Sequence, residues 1–140
     1  MESTYDKIEW VVNCIVNRHM TTSPFELAQK EGVLVYHQSL PLPVNGFAMT
    51  IYNQRFIIMN DTHSLQDDFM TCSRGLAHHI VGDDKFDLHI VSHSAEGYPL
   101  EANIEYFAKV LTAKQTKNQN SEHLLNHYSL KELTEAVSLA

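Results

Sequence analysis

The residues with the most chemistry to offer are His78, His79 and Glu101. The two imidazoles end the run Phe69 to Val81, FMTCSRGLAHHIV, and Glu101 heads a second run, EANIEYFAKVL. Imidazole nitrogens and carboxylate oxygens are zinc ligands, and the helical pattern H-E-x-x-H uses two histidines one turn apart with a glutamate beside the first as general base. With His78 as the second histidine, that pattern would need His at position 74 and Glu at position 75. The chain has Arg74 and Gly75 there. Arginine stays protonated and has no lone pair for a metal. Glycine cannot take a proton from water, so hydrolysis loses its acid–base relay as well as a ligand. His79 is no substitute, because adjacent helical residues point about 100° apart.

Other donors surround this run. His89, His93 and the pair Asp83-Asp84 fall in a polar segment, and a rearranged zinc site combining His78 and Glu101 with one of them, or with His79, is chemically open. A chain with nine histidines offers many chance combinations, so these residues are read as ordinary loop positions and no metal is expected. Cys72 and His79 share a helix face but lie about 10.5 Å apart along its axis, too far for one ion. Cys14 and Cys72 form no C-x-x-C pair, which predicts two thiols in a reducing compartment. A local signature for a serine or cysteine nucleophile is absent.

The elements that must position these groups follow from periodicity. With 140 residues, 44% of them hydrophobic, the chain suffices for one domain with a real core. Ile8, Val11, Val12, Ile15 and Val16 recur at helical spacing between Tyr5 and His19. Ser23-Pro24-Phe25-Glu26 has the form of a helix start, with Gly32 suited to the stop. Strands are predicted at Val33 to Tyr36, Phe47 to Ile51 and Phe56 to Met59, with a turn at Asn53-Gln54 and a further short strand at Leu88 to Val91. Leu40-Pro41-Leu42-Pro43 is read as a loop, since proline lacks an N–H. Ser64 and Gly82 bracket the central helix. Pro99 opens the Glu101 helix, whose stripe is Leu100, Ile104, Phe107 and Leu111.

Residues 114–121, KQTKNQNS, read as a polar linker. A capping box at Ser129-Leu130-Lys131-Glu132 then starts a last helix with Leu130, Leu133 and Val137 on one side, expected to pack on the first helix or on a second copy. The predicted organisation is therefore a domain over 1–113, a linker over 114–121 and a helical extension over 122–140. A net charge of −7 argues against direct nucleic-acid or anionic-membrane binding and favours a protein partner. MESTYDKIEW has no basic region followed by an apolar run, and no stretch approaches a membrane span, so a cytoplasmic protein is expected.

The order from Ser23 to Leu111 resembles the ImmA/IrrE family of bacterial and phage metallopeptidases. In that family a helix beginning N-P-x-x-[IL]-A leads to a strand, a Gly-containing strand, a strand ending in Asn, and then R-x-x-[LF]-A-H-E-L-G-H. The matching stretches are Ser23-Pro24-Phe25-Glu26-Leu27-Ala28, Asn45-Gly46-Phe47, Phe56-Ile57-Ile58-Met59-Asn60 and Phe69 to His79. The family's third ligand lies in E-x-x-A-N-x-F-A-x-x-L-L, and Glu101 to Leu111 keeps the Glu, the Phe-Ala and a Leu.

The resemblance implies an α+β, zincin-like metallopeptidase fold, with helices on a short three-stranded, mainly antiparallel sheet. Active members cleave or antagonise helix-turn-helix repressors to switch on prophage, mobile-element or stress genes. With Arg74 and Gly75 in place of a ligand and the base, the expectation is a degenerate relative, phage-encoded or bacterial, that binds a repressor or host factor without cutting it. An active zinc peptidase with substituted ligands is the alternative, and a homo-oligomer is compatible with either. A strand bordering the cleft can take up an extended peptide, which points to Phe47, Met49 and Ile51 as partner-binding residues. Arg74 is expected to reach Glu101 and replace the metal with a salt bridge.

Overall fold

A computed structural model describes residues 3–41, 44–61, 65–82, 88–91 and 99–125, without the side chains of 65–66, 99–101 and 116–125. Its elements are α1 (Thr4–His19), α2 (Pro24–Lys30), β1 (Val33–Gln38), β2 (Gly46–Ile51), β3 (Gln54–Asn60), α3 (Leu65–Val81), β4 (Leu88–Val91) and α4 (Pro99–Leu125). The fold is α+β, with helices over one face of a mixed sheet. No helix among the described residues is long and apolar enough to cross a membrane.

Local chemistry sets the helix ends. Ser3 and Asp6 form a reciprocal capping box at the start of α1, a signal the sequence reading passed over. Ser23 accepts from the Glu26 N–H and Pro24 occupies the first turn of α2, as expected. Gly32 follows the helix at φ +79°, a left-handed conformation in which a side chain would be strained.

Among the described residues the sheet has four strands in the order β1-β3-β2-β4, with the short strand expected at Leu88 to Val91 joining the other three. β1 runs parallel to β3, while β2 is antiparallel to both β3 and β4. A purely antiparallel meander would need a tight turn from β1 into β2. The proline-containing loop between them cannot supply it, so the β2–β3 hairpin folds back and places β3 next to β1. Asn60, fully buried at the end of β3, holds this loop by donating from Nδ2 to the carbonyls of Leu40 (3.2 Å) and Val44 (2.9 Å). The hairpin turn lies at Tyr52-Asn53, one residue earlier than expected. Both residues have positive φ, 49° and 66°, as a two-residue turn with Ile51 opposite Gln54 requires.

Pleating divides the sheet residues between two faces. On the helix side, Val35, Ile57, Ala48 and His89 lie in register across the four strands. Val33, Ile57 and Met59 join Leu27, Cys72, Leu76, Ile104, Phe107 and Leu111 in a single core. On the other side, Tyr36 lies opposite Ile58, which lies opposite Phe47, which lies opposite Ile90. Leu34, Phe56, Met49 and Leu88 form the adjacent row. None of these eight belongs to the buried core cluster.

One expectation about the chain changes here. The backbone of 114–121 is helical, because α4 continues unbroken to Leu125. Its Lys and Gln residues are good helix formers, and it contains neither Gly nor Pro to stop the helix. Thr22 at the start of α2 donates a hydrogen bond to Gln115 and ties this part of α4 down. Leu130, Leu133 and Val137 lie outside the described residues.

Gly46 is where β2 passes beneath α3. A Cβ there would sit 2.5 Å from the Ile58 carbonyl oxygen and 3.1 Å from Thr71 Cγ2. Gly46→Ala is therefore expected to destabilise the fold by about 1–3 kcal/mol, read as a lower urea midpoint with an unchanged slope. A midpoint equal to wild type would show that β2 does not sit this close to its neighbours.

Candidate functional site

α3 runs through the middle of the molecule, and every residue from Thr71 to His78 is buried. Burial on all sides explains its run of small residues, Thr71, Cys72, Ser73, Gly75 and Ala77, which let the sheet and the other helices approach closely. Hydroxyls in the run bond locally where they can, as Ser73 Oγ donates to the Phe69 carbonyl at 2.8 Å. Burial pushes the Cys72 thiol well above its ordinary pKa, with the charge of Asp68 adding to the effect. This thiol is inert packing, not a nucleophile.

Arg74 is 7% exposed, and its charge is met from α4. Nε donates to Glu105 Oε2 at 2.7 Å and Nη2 donates to Glu105 Oε1 at 2.9 Å. This fork-to-fork arrangement is the strongest geometry open to the pair. Glu105 lies one helical turn beyond Glu101, whose side chain is not among those described. The partner expected for Arg74 was Glu101, whose side chain lies outside the described ones; the described partner is Glu105. The signal was present in the sequence, because Glu101 and Glu105 are four residues apart and share a helix face.

Gly75 faces the sheet. A Cβ at this position would lie 2.9 Å from Cγ2 of Ile57 and 3.1 Å from its Cγ1, and Ile57 is fully buried. A glutamate in place of Gly75 could be accommodated only by displacing core side chains. The absence of a side chain at position 75 is thus built into the packing of α3 on β3.

His78 is 5% exposed and stacks on His89 of β4, with ring centroids 4.7 Å apart and planes 18° apart. Its Nδ1 is buried with no hydrogen-bond partner among the described residues. Burial, followed by the neighbouring His89 and His79, lowers its pKa to about 4, so the ring is neutral at pH 7. His79 points elsewhere, as the 100° offset requires. Its Nε2 donates to the Phe56 carbonyl at 2.7 Å, and burial likewise lowers its pKa. Of the sequence-derived donors, the structure stacks His78 on His89, while the His79 ring is turned to the Phe56 carbonyl. His93 and Asp83-Asp84 lie outside the described residues. No group of three or more metal-binding side chains occurs among the described residues.

Phe47, Met49 and Ile51 do not line this site. They lie on the sheet face turned away from α3, and β2 is not an edge strand, since β3 and β4 pair with it on either side. Peptide addition along β2 is excluded where both sets of backbone groups are used. β1 and β4 are the edges of the sheet. Compared with known proteins, the chain matches no protein-family model and no curated sequence.

The buried, neutral His78 carries a pH dependence whose sign is fixed. An unfolded imidazole titrates near 6.5 and the folded one near 4, so the unfolded state binds more protons between these values. Its stabilising effect is complete above about pH 6.5 and is lost as pH falls towards 4, reaching about 2 kcal/mol near pH 4.5. Urea titrations of wild type and His78→Gln at pH 7.5 and 4.5 check this: the stability lost on acidification should be smaller in the variant. Equal losses would show that His78 titrates normally.

Proposed function

We propose that this chain is a catalytically degenerate protein with an ImmA/IrrE-like fold, which regulates a phage or mobile genetic element by binding a protein partner, in the manner of an antirepressor. The observation that carries this reading is the pair of positions 74 and 75. Arg74 is a permanent cation engaged by Glu105 where a metal ligand would be needed, and Gly75 is packed against Ile57 where a general base would be needed. Binding requires neither group. The negative net charge suits a partner with a basic surface, as proteins that contact DNA have.

One observation favours a second reading, a zinc peptidase with substituted ligands. His78 is neutral and its Nδ1 lacks a described partner, as a ligand waiting for a metal would. Against it, nearly parallel stacked rings direct their in-plane lone pairs side by side, not towards a common point. His78 and His89 would have to reorient to share an ion.

A helix-turn-helix repressor from the native host, mixed with the full chain purified without chelator, separates the two readings. The regulatory reading expects a stable complex, an intact repressor and almost no zinc by elemental analysis. Chelator-sensitive cleavage of the repressor, or near-stoichiometric zinc, would contradict it.

A further inference from the structure

The sheet carries apolar side chains on both faces, and among the described residues only one face is covered by helices. In a sheet with a solvated side, the outward positions alternate to polar residues. Here the two outward rows, Tyr36 to Ile90 and Leu34 to Leu88, are apolar in all four strands. At their ends Leu34, Tyr36, Leu88 and Ile90 are 42%, 50%, 53% and 58% exposed. Tyr36 stacks on Phe56 at 6.2 Å, so the rows form a continuous surface. Ile51 extends it, itself 46% exposed. A contiguous apolar patch of this extent on a small domain marks an interaction surface.

We propose that this face is a homodimer interface, on which a second copy of the chain packs sheet against sheet. Its chemistry selects the occupant. The rows contain no charged side chain, so they give a nucleic acid or a charged peptide nothing to pair with. An identical uncharged face suits them directly, and a two-fold axis through the patch brings each row against its symmetry mate about 10 Å away. Four strands at about 4.8 Å spacing, with the rim at Ile51 and Tyr52, offer on the order of 600–800 Å² per copy, close to a standard stable interface. The net charge of −7 does not oppose this, because it lies outside the two rows and is screened over about 8 Å at physiological salt. Arg74, Glu105 and His78 lie on the helix side, so a dimer of this kind leaves that side of the molecule uncovered for another partner.

Sedimentation equilibrium of the full chain between about 1 and about 100 µM tests the proposal. Wild type is expected to sediment at twice the monomer mass. Ile90→Lys on β4 and Tyr36→Lys on β1 each place an unpaired charge in the face, and each should weaken association at least ~100-fold while the circular dichroism spectrum and cooperative melting are retained. The two substitutions lie on opposite edges of the sheet, so either decides the matter if the other fails to fold. A wild-type monomer throughout the range would overturn the proposal and assign the face to residues 126–140 or to a different protein. A dimer that survives both substitutions would overturn it by placing the interface elsewhere.

Discussion

The ion pair between Arg74 and Glu105 is the interaction on which the arrangement of the helices depends. α3 is buried along its middle, and an arginine in such a place is tolerated only if its charge and hydrogen-bond donors are met. Among the described residues, α4 meets them with the Glu105 carboxylate in bidentate geometry. The pair fixes the register of α3 against α4, and α4 in turn presents Ile104, Phe107 and Leu111 to Ile8, Val12 and Ile15 of α1 in the common core. Desolvation makes the pair a weak source of net stability but a strict one for geometry: a shifted helix would leave two charges buried and unmatched.

The same helix shows why a hydrolytic site is not one substitution away. Gly75 lets α3 approach β3 until Ile57 fills the space a side chain would need. His78 is held by its stack on His89 and by burial that keeps it neutral. Arg74, Gly75 and His78 are all parts of the buried packing of α3. Under the proposed function, what remains for interaction is surface: the sheet edges, the helix side around the ion pair, and the apolar outer face.

Much of this was legible in the residues themselves. The spacing of Ile8, Val12 and Ile15, the Ser23-Pro24 start and the apolar run Phe56 to Met59 located α1, α2 and β3, because local sequence pattern and capping decide those elements. β4 was also visible, from Leu88 to Val91. Strand order was not, since nothing local in β1 states that it will lie beside β3; that depends on how the proline loop returns the chain. The helix through 114–121 is hidden by its polar composition, which is that of a linker, and only the absence of Gly and Pro marks it as a continuation of α4. At the site, the chemistry of Arg74 and Gly75 could be read directly. The pairing of Arg74 with Glu105 could not, as it depends on the axial offset of two packed helices, and the sequence does not encode that locally.

A double-mutant cycle on Arg74 and Glu105 tests most directly whether this pair holds α3 to α4. Urea unfolding of wild type, Arg74→Met, Glu105→Gln and the double variant would give the coupling between the two sites. A coupling of about 2–3 kcal/mol, with each single substitution costing more than its share of the double, is the predicted result. Additive effects, with coupling below about 0.5 kcal/mol, would contradict the account, because they would mean that the two helices are held in register by something else.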